Sequence, residues 1–355
     1  MEKAGKILLR LSQLKDVRRD YENGLWYDIA RFVNPRRENI KAEDWSMLKG
    51  QRRGKDIYDG TPQGALNTWA DGMQGFLVSE NLKWFKSELD IAELNNDDEV
   101  RAWLQMYDEA LYGEFRKSNF YSVLGEWMRD AGSIGTATLY TEEDIASKRC
   151  NMLAIHPREI YIAENKHGDV DTVYREFQMT ARQLIDTFGK EKFNESFLNE
   201  AKINPEKLHR CVHATQPNDD YTFGSYNQTK KSFASCYVLA DMQTSDPSMA
   251  KGQILRESGY DVNPFAIWRF RKNSDEVYGY SPAADALVEV FQLNQYGKTL
   301  TQAAQLSVQP ALNVPSEMRG NVRMLPNGYN YYDDPNRIIS GINSGIEYPV
   351  GIDQL

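Results

Sequence analysis

Two histidines and a cysteine alternate in one short segment, as His209, Cys211 and His213. Alternate residues of a β-strand share a face, and zinc accepts two imidazoles and a thiolate as ligands. A working site also needs a fourth ligand or an open position beside a glutamate, and we recognise no residue for either role. A metal-dependent enzyme that processes nucleic acid is therefore the alternative function. A half-buried strand with polar side chains explains the same three residues.

A second candidate for chemistry is Gly297-Lys298-Thr299, which resembles the end of a phosphate-binding loop. That loop requires a glycine five positions before Gly297, where the sequence has Gln292, and it follows a strand rather than lying inside a helix. No Ser/His/Asp set, paired carboxylates of the glycosidase kind or CxxC motif is recognisable. We therefore expect no enzyme activity, no catalytic residue, no cofactor and no bound metal.

Lys298 is the single charge within residues 290–309, in a chain of which 26% of the residues are charged. The segment is predicted to be a helix in which Ser281 is the N-cap, Pro282 occupies the first position and Pro310 marks the end. Polar residues interrupt its apolar runs, so it is not a membrane span. A helix face that is polar but uncharged indicates close contact with a neighbour, or with something for which strong electrostatic attraction would be harmful.

The chain has 355 residues and a formal net charge of −9, but its first 60 residues are basic. Arg36-Arg37 and Arg52-Arg53-Lys55 form two clusters that could contact nucleic acid or an acidic protein. A solvated surface with interspersed acids explains the same pattern. The three cysteines have unrelated spacings, which argues against a disulfide framework.

The order of predicted elements indicates an α+β fold, with helices first, then strands, then one long helix and a small β-rich tip. The predicted helices run from near the N-terminus to Pro35, from Thr61-Pro62, from near Asn96 and over about Ser122 to Ala131. The helix near Asn96 is predicted to bury one stripe, consisting of Val100, Trp103, Leu104, Tyr107, Leu111 and Phe115. Strands follow from Thr136, with one helix at 181–188, and Gly132 and Gly135 are expected in a tight turn.

Short sequence blocks follow one order over about residues 10 to 320. They include Trp26-Tyr27-Asp28-Ile29-Ala30, Asp59-Gly60-Thr61-Pro62, Gly132-Ser133-Ile134-Gly135-Thr136, Ile155-His156-Pro157 and Tyr278-Gly279-Tyr280-Ser281-Pro282, the last followed by Leu293-Asn294, Ala303-Ala304 and Pro310. In this order they resemble blocks of the portal proteins of short-tailed, podovirus-type bacteriophages, which are head-to-tail connectors. The resemblance depends on the order of the blocks and not on any single one.

The resemblance implies a domain organisation and a set of partners. Residues 1–280 would form a wing-like body (helices to about 135, then mostly β), residues 281–308 the first stem-like helix and residues 309–355 a clip-like region. Portals assemble as dodecameric rings at one capsid vertex, so the expected partners are further copies, the terminase motor, capsid protein, the tail adaptor and double-stranded DNA passing without sequence specificity. The expected location is the virion, and the host cytoplasm during assembly. The sequence is expected to stop before a second stem helix.

Two sets of candidate site residues accompany this resemblance. The candidates to face the DNA channel are Asn294, Lys298, Thr301 and Gln305, and a contact between subunits is the alternative role for Lys298. The candidates for docking the motor or the adaptor are Arg319, Arg323, Tyr329, Tyr331 and Tyr332, because arginine and tyrosine are frequent at binding hot spots. Packing of these tyrosines in the tip's own core, or in that of a neighbouring subunit, is the alternative.

Overall fold

The computed structural model describes residues 3–41, 53–144, 147–240, 252–308, 312–313 and 340–341. It divides into two compact units, one of Met1–Asp56 with Gly60–Leu287 and one of Ile57–Asp59 with Val288–Leu355. Helices and antiparallel strands both contribute, which confirms the predicted α+β class. The boundaries of the wing-like, stem-like and clip-like parts stay predictions.

The predicted helices are present, with some differences in their bounds. They are α1 (Lys3–Asn23), α2 (Leu25–Phe32), α3 (Thr61–Leu77), α4 (Asp98–Lys117), α5 (Phe120–Ile134), α6 (Ala181–Phe188), α7 (Glu195–Ile203), α8 (Pro282–Asp285) and α9 (Leu287–Val308). The prediction of one continuous N-terminal helix is wrong, because Gly24 separates α1 from α2 with a ψ of −112°, outside the helical range. Helix α7 was not predicted.

The strands form two main antiparallel sheets. They are β1 (Thr136–Asp144), β2 (Arg149–Ile155), β3 (Ile160–Glu164), β4 (Val170–Thr180), β5 (Leu208–Pro217), β6 (Phe233–Ala240), β7 (Gly252–Tyr260) and β8 (Phe265–Arg269), with the two-residue strands β9 (Leu312–Asn313) and β10 (Ser340–Gly341). One sheet has the order β3-β4-β5-β6-β7 and the other β2-β1-β8, while β9 pairs with β10 in the second unit. Strand β7 was not predicted, because two glycines and two charged residues break its apolar alternation.

Helix α1 packs on the five-stranded sheet through a continuous apolar layer. Leu8 and Leu11 of the helix are buried against Val212 and Val238 of the central strands. Full burial of each such side chain contributes about 1.5–3 kcal/mol. Lys6 and Arg10 of the same helix are exposed.

A buried carboxylate adds a second attachment between α1 and this sheet. Glu176 of β4 is fully buried, and its carboxylate lies 2.5 Å from Lys15 Nζ of α1. It also pairs with Arg210 of β5 and accepts a hydrogen bond of 3.2 Å from the Tyr161 hydroxyl. A buried carboxylate of this kind is stable only while its cationic and hydroxyl partners are present. The Lys15 side chain therefore joins α1 to the sheet, whereas Arg210 joins β5 to β4.

The buried face of α4 differs from the predicted stripe. Leu104, Asp108 and Tyr112 are buried, whereas Trp103 and Tyr107 are 55% and 46% exposed. The reason lies in the segment before the helix, which belongs to no helix or strand and whose backbone needs hydrogen-bond partners. The Asp108 carboxylate accepts from the Ser87 amide at 3.2 Å, and the Tyr112 hydroxyl bonds both backbone groups of Phe85. The need to provide hydrogen bonds to that segment's backbone therefore determines which side of α4 is buried.

The turn from α5 into β1 has the tight geometry predicted for Gly135, whereas Gly132, predicted in the same turn, lies inside α5. Gly135 caps α5 with a φ of +84°, a conformation that favours glycine. A Cβ on Gly135 would lie 2.5 Å from the carbonyl oxygen of Gly279, and one on Gly132 would lie 2.6 Å from the Trp69 ring. Both glycines are needed because backbone and aromatic groups approach them closely.

Candidate functional site

The long, nearly uncharged helix of the sequence is present but does not begin where predicted. Ser281 caps a separate first turn, α8, by accepting a hydrogen bond of 3.0 Å from the Ala284 amide. The chain leaves helical geometry at Ala286, and α9 then runs for 22 residues, which is about 33 Å. The single helix predicted from Pro282 is therefore wrong. The break reflects packing, because α8 contacts α2 and α5 of the first unit, while the second unit includes α9 from Val288.

Charge is nearly absent along α9. Glu289 and Lys298 are its two charged side chains, and the polar remainder is Gln, Asn, Thr and Ser. The Thr299 hydroxyl donates to the Gln295 carbonyl at 2.9 Å, and the Thr301 hydroxyl donates to the Gly297 carbonyl at 2.8 Å. Each threonine therefore presents to its surroundings an acceptor oxygen and a methyl group, since its only donor is used within the helix. These threonines therefore offer an anion no donor, while the Asn and Gln amides of the helix offer donors without charge.

A short segment from far away in sequence lies across this helix. The Tyr58 amide donates to the Asn294 side-chain oxygen at 2.8 Å. A Cβ on Gly297 would lie 3.1 Å from the Tyr58 carbonyl oxygen, so the absence of a side chain there permits the approach. The Lys298 ammonium lies 6.0 Å from the centre of the Tyr58 ring, within the range of a cation–π interaction. We call Ile57–Asp59 the crossing segment.

The four predicted channel-facing residues fall into two pairs. Asn294 and Lys298 are half-buried and contact the crossing segment, while Thr301 and Gln305 are exposed further along the helix. A spacing of three and four residues places all four on one side of α9. Sequence reasoning missed the role of Tyr58, because it precedes Asn294 by 236 positions and no local pattern connects the two. Whether this side faces a channel stays a prediction.

The alternating histidines and cysteine of β5 are structural. His213 is fully buried, its ring stacks on Tyr237 at 4.0 Å, and its Nε2 lies 2.9 Å from the Ser235 hydroxyl. Burial lowers the pKa of His213 well below its usual value and raises the pKa of the Cys211 thiol to about 12, so the thiolate that zinc needs is disfavoured. Within the described ranges, no three His, Cys, Asp or Glu residues are placed to hold a metal ion. The enzyme alternative therefore has no support.

Two of the four cluster residues that the structure describes, Arg37 and Arg53, make hydrogen bonds inside the fold. Arg37 makes two hydrogen bonds of 2.7 and 2.8 Å to the Asp130 carboxylate, and Arg53 donates to the carbonyl of Arg36. The Arg36 side chain and Lys55 are exposed. Arg37 thus joins the short turn at Pro35–Arg37 to helix α5.

The proposed docking residues Arg319, Arg323, Tyr329, Tyr331 and Tyr332 lie outside the described residues. Arg52 does as well. Of the helices in the described part of the chain, none combines the length and the apolar character that crossing a membrane requires.

Comparison with known proteins identifies the family of this chain. Residues 4–355 match the family described as "Bacteriophage head to tail connecting protein". The chain is 28% identical to the "Probable portal protein" of Bordetella phage BPP-1 over 98% of its own length and 61% of that protein. It is also 28% identical to the "Portal protein" of Salmonella phage epsilon15, over 95% of its own length and 58% of that protein. The chain thus spans about three fifths of the length of these two relatives. It belongs to the bacteriophage head-to-tail connecting proteins.

Proposed function

We propose that this chain is a portal subunit, many copies of which form a ring around a channel for double-stranded DNA at one capsid vertex. The observation that carries this proposal is α9, a 22-residue helix with two charged side chains in a chain of the connector family. The ring is dodecameric, and DNA passes through it during both packaging and ejection. The subunit functions in the virion after assembly in the host cytoplasm.

Electrostatics explains why a conduit needs such a helix. A duplex carries one phosphate charge per roughly 1.7 Å, so a helix of about 33 Å faces on the order of 20 phosphates. Several lysines per subunit along that length would bind the DNA and hinder its movement. On α9 the threonine hydroxyls donate to their own helix and the amides are uncharged. Such a surface offers the DNA little electrostatic attraction.

Lys298 gives the proposed wall one ring of positive charge. Its ammonium lies over the Tyr58 ring, at 6.0 Å from the ring centre. An ammonium that is shared with an aromatic face is partly withdrawn from an approaching phosphate. The lysine ring would therefore contact DNA transiently, with Asn294 beside it and Thr301 and Gln305 forming the uncharged continuation.

The parts of the chain have separate roles in this proposal. Residues 1–280 form the wing-like body, 281–308 the stem-like helix and 309–355 the clip-like region. Arg319, Arg323, Tyr329, Tyr331 and Tyr332 of the clip-like region dock the terminase motor during packaging and the tail adaptor afterwards. Capsid protein surrounds the ring at the vertex.

The test replaces Lys298 by alanine in the phage and measures both DNA packaging and the retention of packaged DNA. We expect altered retention or packaging in Lys298→Ala and nearly normal behaviour in Lys298→Arg, which keeps the charge. Glu289→Gln is the matched control, because it removes the other charge of α9. Wild-type packaging and retention in Lys298→Ala would remove Lys298 from the channel. A purified protein that forms no ring would contradict the whole proposal.

A further inference from the structure

The outer side of α4 exposes Trp103 and Tyr107, which the sequence pattern predicts to be buried, together with Met106. Trp103, Met106 and Tyr107 are 55%, 66% and 46% exposed. The rings of Trp103 and Tyr107 stack with centres 5.8 Å apart and an angle of 12°. Glu99 lies one turn before Trp103 on the same side of the helix. We call these four residues the α4 outer face. A preformed pair of exposed aromatic rings is the kind of anchor that carries binding energy in protein interfaces.

The surroundings of the α4 outer face are acidic. Residues 80–99 contain seven acidic side chains and two lysines. Both lysines are neutralised, because Lys83 pairs with Glu109 and Lys86 pairs with Glu88. Glu99 forms no ion pair with any residue that the structure describes. A partner of this face therefore needs positive charge around an apolar centre.

The first half of α1 has that chemistry. Lys3, Lys6 and Arg10 recur at spacings of three and four residues and line a cleft of about 520 Å³. The cleft is also lined by apolar side chains, including Ile7, Tyr174, Ala214, Ala234 and Cys236, and by the two carboxylates Asp220 and Glu257. Lys3 pairs with Glu257 at 3.0 Å, whereas Lys6 and Arg10 have no ion-pair partner in the described part of the chain. We call Lys3, Lys6 and Arg10 the α1 basic face.

We propose that the α4 outer face docks on the α1 basic face of a second copy of this chain. The α4 outer face is an exposed aromatic pair in acidic surroundings, and the α1 basic face borders an open, partly apolar cleft. The two faces therefore complement each other in charge and in shape. Helix α1 packs on the five-stranded sheet and α4 contacts β2 of the other sheet, so the two faces are different surfaces. Contact between different surfaces is head-to-tail, and its repetition closes a ring when the rotation fits. The inference rests on the ring proposed above and names one contact within it.

Charge reversal provides the sharpest test, using the whole protein and sedimentation velocity to follow association. Glu99→Lys and Lys6→Glu each place like charges opposite each other, so each variant alone should associate about tenfold more weakly. An equimolar mixture should regain wild-type association, because in an alternating ring each reversed α4 face meets a reversed α1 face. A mixture that associates no better than either variant alone would overturn the inference.

The aromatic anchor is tested by Trp103→Ala, with Ile203→Ala as the control. Ile203 is 86% exposed on α7, which packs on the side of the five-stranded sheet opposite to α1, so its loss should leave association unchanged. Trp103→Ala should weaken association about thirtyfold, which is the effect of a hot-spot residue. Both side chains are exposed, so the unfolding midpoint should stay at the wild-type value. Normal rings from Trp103→Ala would refute this contact and leave the proposed function standing, whereas a wild-type protein without rings would refute both.

Discussion

Adding a positive charge to the proposed channel wall should slow the passage of DNA. Thr301 is suited to this change because it is exposed on the side of α9 that carries Lys298. Its hydroxyl donates to the Gly297 carbonyl at 2.8 Å, a bond on an exposed helix whose loss costs little. Lysine is also a slightly better helix former than threonine. Thr301→Lys should therefore keep the fold and add one ring of positive charge to the wall.

The expected magnitude follows from phosphate spacing. A ring of lysines acts on phosphates within a Debye length of about 8 Å on either side, which is on the order of 10 phosphates. If three of these are neutralised at a time, the slope of log affinity against log salt steepens by about 2.7. DNA attraction would then change about 40-fold between 50 and 200 mM salt. Passage should be slow at low salt and recover as the salt concentration rises.

The assay is DNA ejection from purified phage, measured as a function of salt concentration. Thr299→Lys is the matched control, because it makes the same change about 160° away around the same helix, where the threonine hydroxyl donates to the Gln295 carbonyl. We expect slow, salt-dependent ejection for Thr301→Lys and wild-type ejection for Thr299→Lys. Equal ejection rates for Thr301→Lys and wild type at every salt concentration would refute the low-charge wall.

Two further predictions concern the body of the subunit. Gly135→Ala should lower the free energy of unfolding by about 2–4 kcal/mol, because Gly135 has a φ of +84° and its Cβ would lie 2.5 Å from the Gly279 carbonyl oxygen; an unchanged urea midpoint would contradict this. Acid should also destabilise the fold, because burial lowers the pKa of both His213 and His156 well below 6.5. The unfolded chain takes up protons near pH 6.5 while the folded chain does not, so this stability is complete above about pH 6.5 and declines as the pH falls. Urea midpoints measured at pH 7.5 and 5.0 test this. The drop in midpoint between the two pH values should be smaller in His213→Phe, and a drop as large as in the wild type would exclude His213 as the cause.

Local signals predicted most of the elements. Asp97 precedes α4 and accepts hydrogen bonds from the Glu99 and Val100 amides, as a capping aspartate should. The capping box of Thr180 and Gln183 fixes the start of α6 in the same way. Such signals depend on a few neighbouring residues and are therefore visible in the sequence.

The features that the sequence did not predict depend on distant contacts. On α4, Asp108 is buried and Tyr107 is exposed, because the Ser87 amide needs a hydrogen-bond acceptor. The spacing of apolar residues alone predicts the opposite, with the tyrosine buried. The break at Ala286 reflects packing of α8 on α2 and α5 and is not marked by a glycine or proline. In the candidate site, the low charge of α9 could be read from the sequence, but its contact with Tyr58 could not be predicted.

The central claim is that α9 lines the lumen of a ring formed by this chain. The measurement that tests it most directly is electron cryo-microscopy of the purified assembly, at a resolution that traces α9. We predict a ring of many copies in which the side bearing Lys298, Thr301 and Gln305 borders the central opening. A ring with α9 at its outer surface, or a monomer without an opening, would contradict the account.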